Sequence, residues 1–110
     1  MSTATKADFS AQLDSLVSQI VEAVHPVRII LFGSAARGEM GPDSDFDLLV
    51  VMPDGTPRRK TARHLYRVVE GGGAAKDILV TTVSELAKYA DNIGLIYRTI
   101  LREGKTVYES

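Results

Sequence analysis

The sequence predicts a single α/β domain spanning residues 1–110. Three observations point there. Apolar residues at helical spacing alternate with short apolar runs of strand length. Turn residues bound those runs, and no repeat or linker interrupts the order.

Residues 1–7 are expected to be a frayed leader. Phe9, Leu13, Leu16, Val17, Ile20, Val21 and Val24 then fall on one face of a helix, with Asp8 the expected N-cap and Pro26 the stop. Val27 to Phe32 (V-R-I-I-L-F) is a buried strand. Ser34 to Glu39 suits a short helix, and Gly41-Pro42-Asp43-Ser44 is loop chemistry. Asp45 to Met52 is the second strand; from Leu48 onward it is apolar on both faces, which predicts a central strand covered on both sides.

Pro53-Asp54-Gly55 forms a turn. Thr56 is the expected cap of a helix with Pro57 at its first position, running to about Glu70 with Ala62, Leu65, Tyr66 and Val69 inward. Gly71-Gly72-Gly73 ends it. Ala74 to Val80 is the third strand, and Thr82 with Glu85 makes a capping box for a helix over 83–90. Ile93, Ile96, Tyr97, Ile100 and Leu101 give a last amphipathic helix that ends at Gly104, before a short edge strand over Lys105 to Tyr108.

Composition narrows the function classes. The apolar share of 45% supports a packed core. The absence of cysteine excludes disulfides and thiolate metal sites, and His25 and His64 lack metal-ligand spacing. A formal net charge of −1 argues against nucleic-acid binding by bulk charge, though not against a local basic patch. No signal pattern opens the chain and no apolar run approaches the roughly 18 residues of a membrane span. A cytoplasmic protein is the expectation.

Chemistry concentrates between Leu31 and Val51. Strand alternation puts Asp45 and Asp47 on one face, where two carboxylates repel unless a cation lies between them. A hard, oxygen-ligated ion such as magnesium suits them, and two such ions can serve a phosphoryl transfer. Asp77, within an apolar strand where an unpaired charge is costly, is the candidate third carboxylate; a structural pairing with Lys76 or Arg98 is the alternative. Gly33 lets backbone approach a phosphate, Ser34 adds a hydroxyl, and a following helix N-terminus favours an anion. Arg37 could reach a phosphate or pair with a carboxylate. The loop lacks the Gly-Lys-Ser/Thr ending of a P-loop. Asp43 to Asp47 also resembles the start of a calcium loop, but Leu48 and Asp54 stand where that loop needs Gly and Glu.

Gly-Ser followed ten residues later by Asp-x-Asp resembles the signature of the polymerase-β-like nucleotidyltransferase superfamily. The flanks L-F-G-S-A-A-R-G, P-D-S-D-F-D-L-L-V-V, K-D-I-L-V and R-E-G-K-T-V-Y-E are similar to the minimal nucleotidyltransferase antitoxins of HEPN toxin–antitoxin pairs, over Val27 to Glu109. The resemblance implies a small mixed β-sheet flanked by helices. It implies that Gly33 and Ser34 bind the triphosphate of ATP, and that Asp45 and Asp47 ligate two Mg2+ ions. Asp77 then ligates the catalytic ion and helps deprotonate the acceptor. It further implies a protein adenylyltransferase of a type VII-like pair, moving AMP to a tyrosine of a HEPN-domain toxin within a hetero-oligomer. The alternatives are an antitoxin that acts mainly by docking, and transfer to RNA or a small molecule such as an aminoglycoside. Arg59, Arg63 and Arg67 form a basic helix stripe, either a solvated face or a dock for an acidic partner or RNA. Tyr66 and Tyr97 fall at core-facing spacing.

Overall fold

In the computed structural model the described residues are 6–33, 46–69, 75–90, 100 and 102–110. Helix α1 (Lys6–Val24) precedes β1 (Arg28–Phe32) and β2 (Phe46–Met52). Helix α2 (Arg58–Val68), β3 (Ala75–Thr82), α3 (Val83–Ala90) and β4 (Lys105–Glu109) follow. The strands form a four-stranded mixed sheet in the order β3-β2-β1-β4. β1 is antiparallel to both β2 and β4, whereas β2 and β3 are parallel, joined through α2. A parallel pair needs such a crossover, because a tight turn cannot return the chain to the same end of the sheet.

Side-chain alternation divides the core into two. Ile29, Leu31, Leu48, Val50 and Ile78 pack with Leu16 and Ile20 of α1 and Leu65 of α2. Ile30, Leu49 and Val51 pack on the opposite face with Leu86 of α3 and Ile100, and Phe32 and Leu79 lean on that cluster. Helices therefore cover both faces, and β2 is buried from Leu48 through Met52, as a central strand should be. Burying each such Leu or Ile contributes about 1.5–3 kcal/mol before chain entropy is charged. The expected edge strand is present as β4, one residue longer than its sequence pattern suggested.

The ends of the helices show local chemistry at work. α1 stops because Pro26 follows it: His25 turns left-handed (φ 50°) and its N–H donates to the Val21 carbonyl at 2.9 Å. The described part of the helix runs from Lys6, so Asp8 lies inside it rather than capping it, and residues 6 and 7 are helical. Thr56 does not cap α2. Its hydroxyl instead donates to the Pro53 carbonyl at 2.7 Å, closing the turn, and the N-cap position falls to Pro57. β3 runs on to Thr82, where the expected capping box shows one arm: the Glu85 N–H donates to Thr82 Oγ1 at 3.3 Å. Gly104 ends a helical turn, its N–H donating to the Ile100 carbonyl at 2.6 Å; a Cβ there would lie 2.6 Å from Ile30 Cγ2, so only glycine fits. The short helix expected over 34–39 and most of the last helix lie outside the described residues. Among the described residues no helix is long and apolar enough to cross a membrane.

Candidate functional site

Two carboxylates meet where β2 and β3 begin. Asp47 pairs with Asp77 across the parallel ladder, followed by Leu48 with Ile78 and Leu49 with Leu79. Phe46 pairs with Ala75, so Lys76 is an extra residue on β3, a bulge of the kind that re-aims side chains beside active sites. By strand alternation Asp47 shares a face with Leu49, and Asp77 with Leu79. Those two leucines belong to one packing cluster. The two carboxylates thus project from the same face of neighbouring strands, which lie about 4.8 Å apart.

The turn after β1 closes on this pair. Phe32 is the register partner of Asp47, and Gly33 follows it with φ 75°. A Cβ on Gly33 would overlap Asp47 Oδ2 and sit 3.3 Å from the carboxyl carbon. Glycine is required here twice, for its positive φ and for the space the carboxylate occupies. The backbone at Gly33 therefore runs against the Asp47 carboxylate.

Asp47 is half-buried and Asp77 is exposed. Asp77 is therefore not the buried charge its apolar strand suggested: it stands near the open start of β3, ahead of the buried Ile78, so the strand is apolar only further along. What remains unfavourable is its neighbour. Like charges on adjacent strands destabilise one another unless a cation lies between them. An all-oxygen donor set of this kind suits a hard divalent ion. Among the described residues no group of three or more His, Asp or Glu gathers to hold a metal, so this pair is the described portion of the expected set. Ser34, Arg37 and Asp45 lie outside the described residues, as do Arg98 and Tyr97.

Sequence spacing did not reveal three further features. Tyr66, expected to face the core, is 53% exposed. Its hydroxyl accepts the Ile78 N–H at 2.9 Å, so the ring stands at the rim of β3 to reach the strand edge. Asp54 accepts the Ser84 N–H at 2.8 Å and the Ser84 hydroxyl, which holds its carboxyl below the ordinary aspartate range. That clasp lies beyond Met52, at the opposite end of β2 from Asp47, and anchors α3 rather than serving the carboxylate pair. The third is a groove of about 760 Å³ between α2 and β3, lined by Arg59, Arg63, Ile78, Leu79 and Val80 among others. Only the capping pattern at Thr82 hinted at the clasp, since a helix start attracts anions.

Comparison with known proteins agrees with this fold. A nucleotidyltransferase from Sulfolobus solfataricus, described as putative at its 1.40 Å crystal structure, shares the fold with a TM-score of 0.61 at 18% identity, over 96% of this chain and 89% of that one. A toxin–antitoxin crystallised with AMP-PNP shares it with a TM-score of 0.56 at 18% identity, over 88% of this chain and 73% of that one. No curated protein matches the sequence significantly. The sequence pattern of the nucleotidyltransferase domain, however, matches residues 13–105, spanning both Asp47 and Asp77, and the chain belongs to that family.

Proposed function

We propose that this nucleotidyltransferase is a magnesium-dependent protein adenylyltransferase, which moves AMP from ATP to a tyrosine of a HEPN-type toxin and so acts as its antitoxin. One observation carries the catalytic part: Asp47 and Asp77 are register partners, with Gly33 packed against the Asp47 carboxylate. ATP and the toxin rest on the motif resemblance and on the fold likeness to a toxin–antitoxin with AMP-PNP.

The residues fit a divalent ion, since they offer hard oxygen donors whose mutual repulsion a cation relieves. Asp45, Asp47 and Asp77 hold it. Magnesium, when bound, supplies positive charge to the triphosphate and to the acceptor oxygen. Gly33 and Ser34 cradle the triphosphate through backbone and hydroxyl donors, and Arg37 contacts a phosphate. The acceptor oxygen bonds to the α-phosphorus as the bridging bond to the β-phosphate breaks. Pyrophosphate leaves, and the acceptor proton passes to Asp77. The acceptor in this reading is a tyrosine of the toxin, as the motif resemblance implies.

The test incubates the protein with α-labelled ATP, magnesium and a candidate HEPN-type toxin. Label on that partner, lost in the Asp47→Asn, Asp77→Asn double variant, supports the proposal. Absence of label with the unaltered protein, or equal labelling by the variant, sinks it. Label on RNA but not on the partner redirects the acceptor.

A further inference from the structure

Helix α2 grips β3 at one residue. Leu65 lies in the same core cluster as Ile78. The next residue along the helix, Tyr66, accepts the Ile78 N–H on its hydroxyl at 2.9 Å. The tyrosine is 53% exposed, so burial of its ring does not by itself account for its place. The N–H that it takes up lies on the side of β3 where no described strand pairs.

The peptide plane held in this way begins at Asp77. A trans peptide keeps the Asp77 Cα and carbonyl and the Ile78 N–H and Cα in one plane. Orienting the Ile78 N–H therefore orients the backbone that carries the Asp77 carboxylate. On the other side of Asp77 the ladder is loosened, because Lys76 is the extra residue of the bulge between the Ala75 and Asp77 pairings. The like charge of Asp47, its register partner, pushes it away. With a bulge behind it and a carboxylate beside it, Asp77 depends on what holds the residue after it.

We propose that Tyr66 is a positioning residue for the metal site: through the Ile78 N–H it keeps the Asp77 carboxylate in register with Asp47, where the two can share a divalent ion. The role rests on the metal reading of this carboxylate pair. Tyr66 acts through the backbone, not as a ligand. Such support matters because a misplacement of about 1 Å at a reacting centre costs about 100-fold in rate.

Line broadening by Mn2+ titrated into isotope-labelled protein tests this without nucleotide or acceptor. In the unaltered protein the amides of Asp47, Asp77 and Ile78 are expected to broaden first. Tyr66→Phe keeps the ring and removes the hydroxyl acceptor, and is expected to need about ten times more Mn2+ for the same broadening. Two control variants leave the titration unchanged. Ser84→Ala loosens the fold at the far end of β2, and Tyr108→Phe removes a hydroxyl from β4 at the other edge of the sheet. Equal Mn2+ sensitivity of Tyr66→Phe and the unaltered protein overturns the positioning role and leaves the metal site standing. No selective broadening around Asp47 and Asp77 in the unaltered protein overturns both. A loss in Ser84→Ala as large as in Tyr66→Phe shows general loosening of the fold and overturns the positioning role as well.

Discussion

Asp47 of β2 and Asp77 of β3 are register partners across a parallel strand pair, two like charges side by side at the start of both strands. Like charges side by side on neighbouring strands destabilise one another unless something neutralises them. Added magnesium should raise the melting temperature of the unaltered protein and leave Asp77→Asn nearly unmoved. A thermal-shift titration reads both effects. A larger magnesium response in Asp77→Asn than in the unaltered protein would contradict the metal role.

Gly33 separates two demands that Ala and Asn substitutions pull apart. Its φ of 75° suits glycine and is tolerated by Asn, whereas its missing Cβ leaves room for Asp47 Oδ2. Gly33→Ala is expected to cost about 1–3 kcal/mol, and to slow nucleotide transfer about 100-fold by displacing the carboxylate. Gly33→Asn should recover part of the stability, because it eases the backbone, but none of the transfer rate. Denaturant melts with the labelling assay distinguish the two. Recovery of transfer by Asn would mean that the turn, not the carboxylate contact, matters.

The sequence made the sheet legible where periodicity is strong. The apolar run from Leu48 to Met52 implied a strand covered on both faces, and it is one. The carboxylate pair was legible as residue types, but not its pairing. Which strand lies beside β2 depends on the crossover through α2, and the bulge at Lys76 fixes the register; neither leaves a mark in spacing. Asp77 misled the burial argument because a strand's apolar run says nothing about its first residues, which here reach the open end. Tyr66 misled the helical-face argument because an amphipathic ring can leave the core to satisfy a strand edge through its hydroxyl. Thr56 was a sound capping residue by type, yet its hydroxyl closes the preceding turn on the Pro53 carbonyl instead, and Asp8 stands inside α1.

Tyr66 is expected to stabilise the free side of β3. Its hydroxyl accepts the Ile78 N–H at 2.9 Å, a part-buried bond twelve residues apart in sequence that ties α2 to the strand. Tyr66→Phe keeps the ring and leaves that donor without its partner, for a cost of about 1 kcal/mol. Amide exchange at Ile78 should quicken correspondingly. Unchanged protection at Ile78 would show that the hydroxyl is dispensable to the edge.

The Asp54–Ser84 clasp gives the fold an acid-sensitive joint. Both the hydroxyl and the backbone N–H of Ser84 donate to the carboxylate, which lowers its pKa in the folded protein, and the charge also sits favourably at the start of α3. The sign follows from linkage. A carboxyl whose folded pKa lies below its unfolded one stabilises the fold above the unfolded value, and loses that stabilisation as pH falls through the folded value. The contribution should therefore be intact at neutral pH and fade from about pH 4 downward. Ser84→Ala removes the hydroxyl donor, the larger cause of the shift. The Asp54 carboxyl, followed by NMR titration, should then move back toward the ordinary aspartate range, and the stability of the variant should change less with pH across that window. An unmoved Asp54 titration in Ser84→Ala would place the lowering on the backbone donor alone.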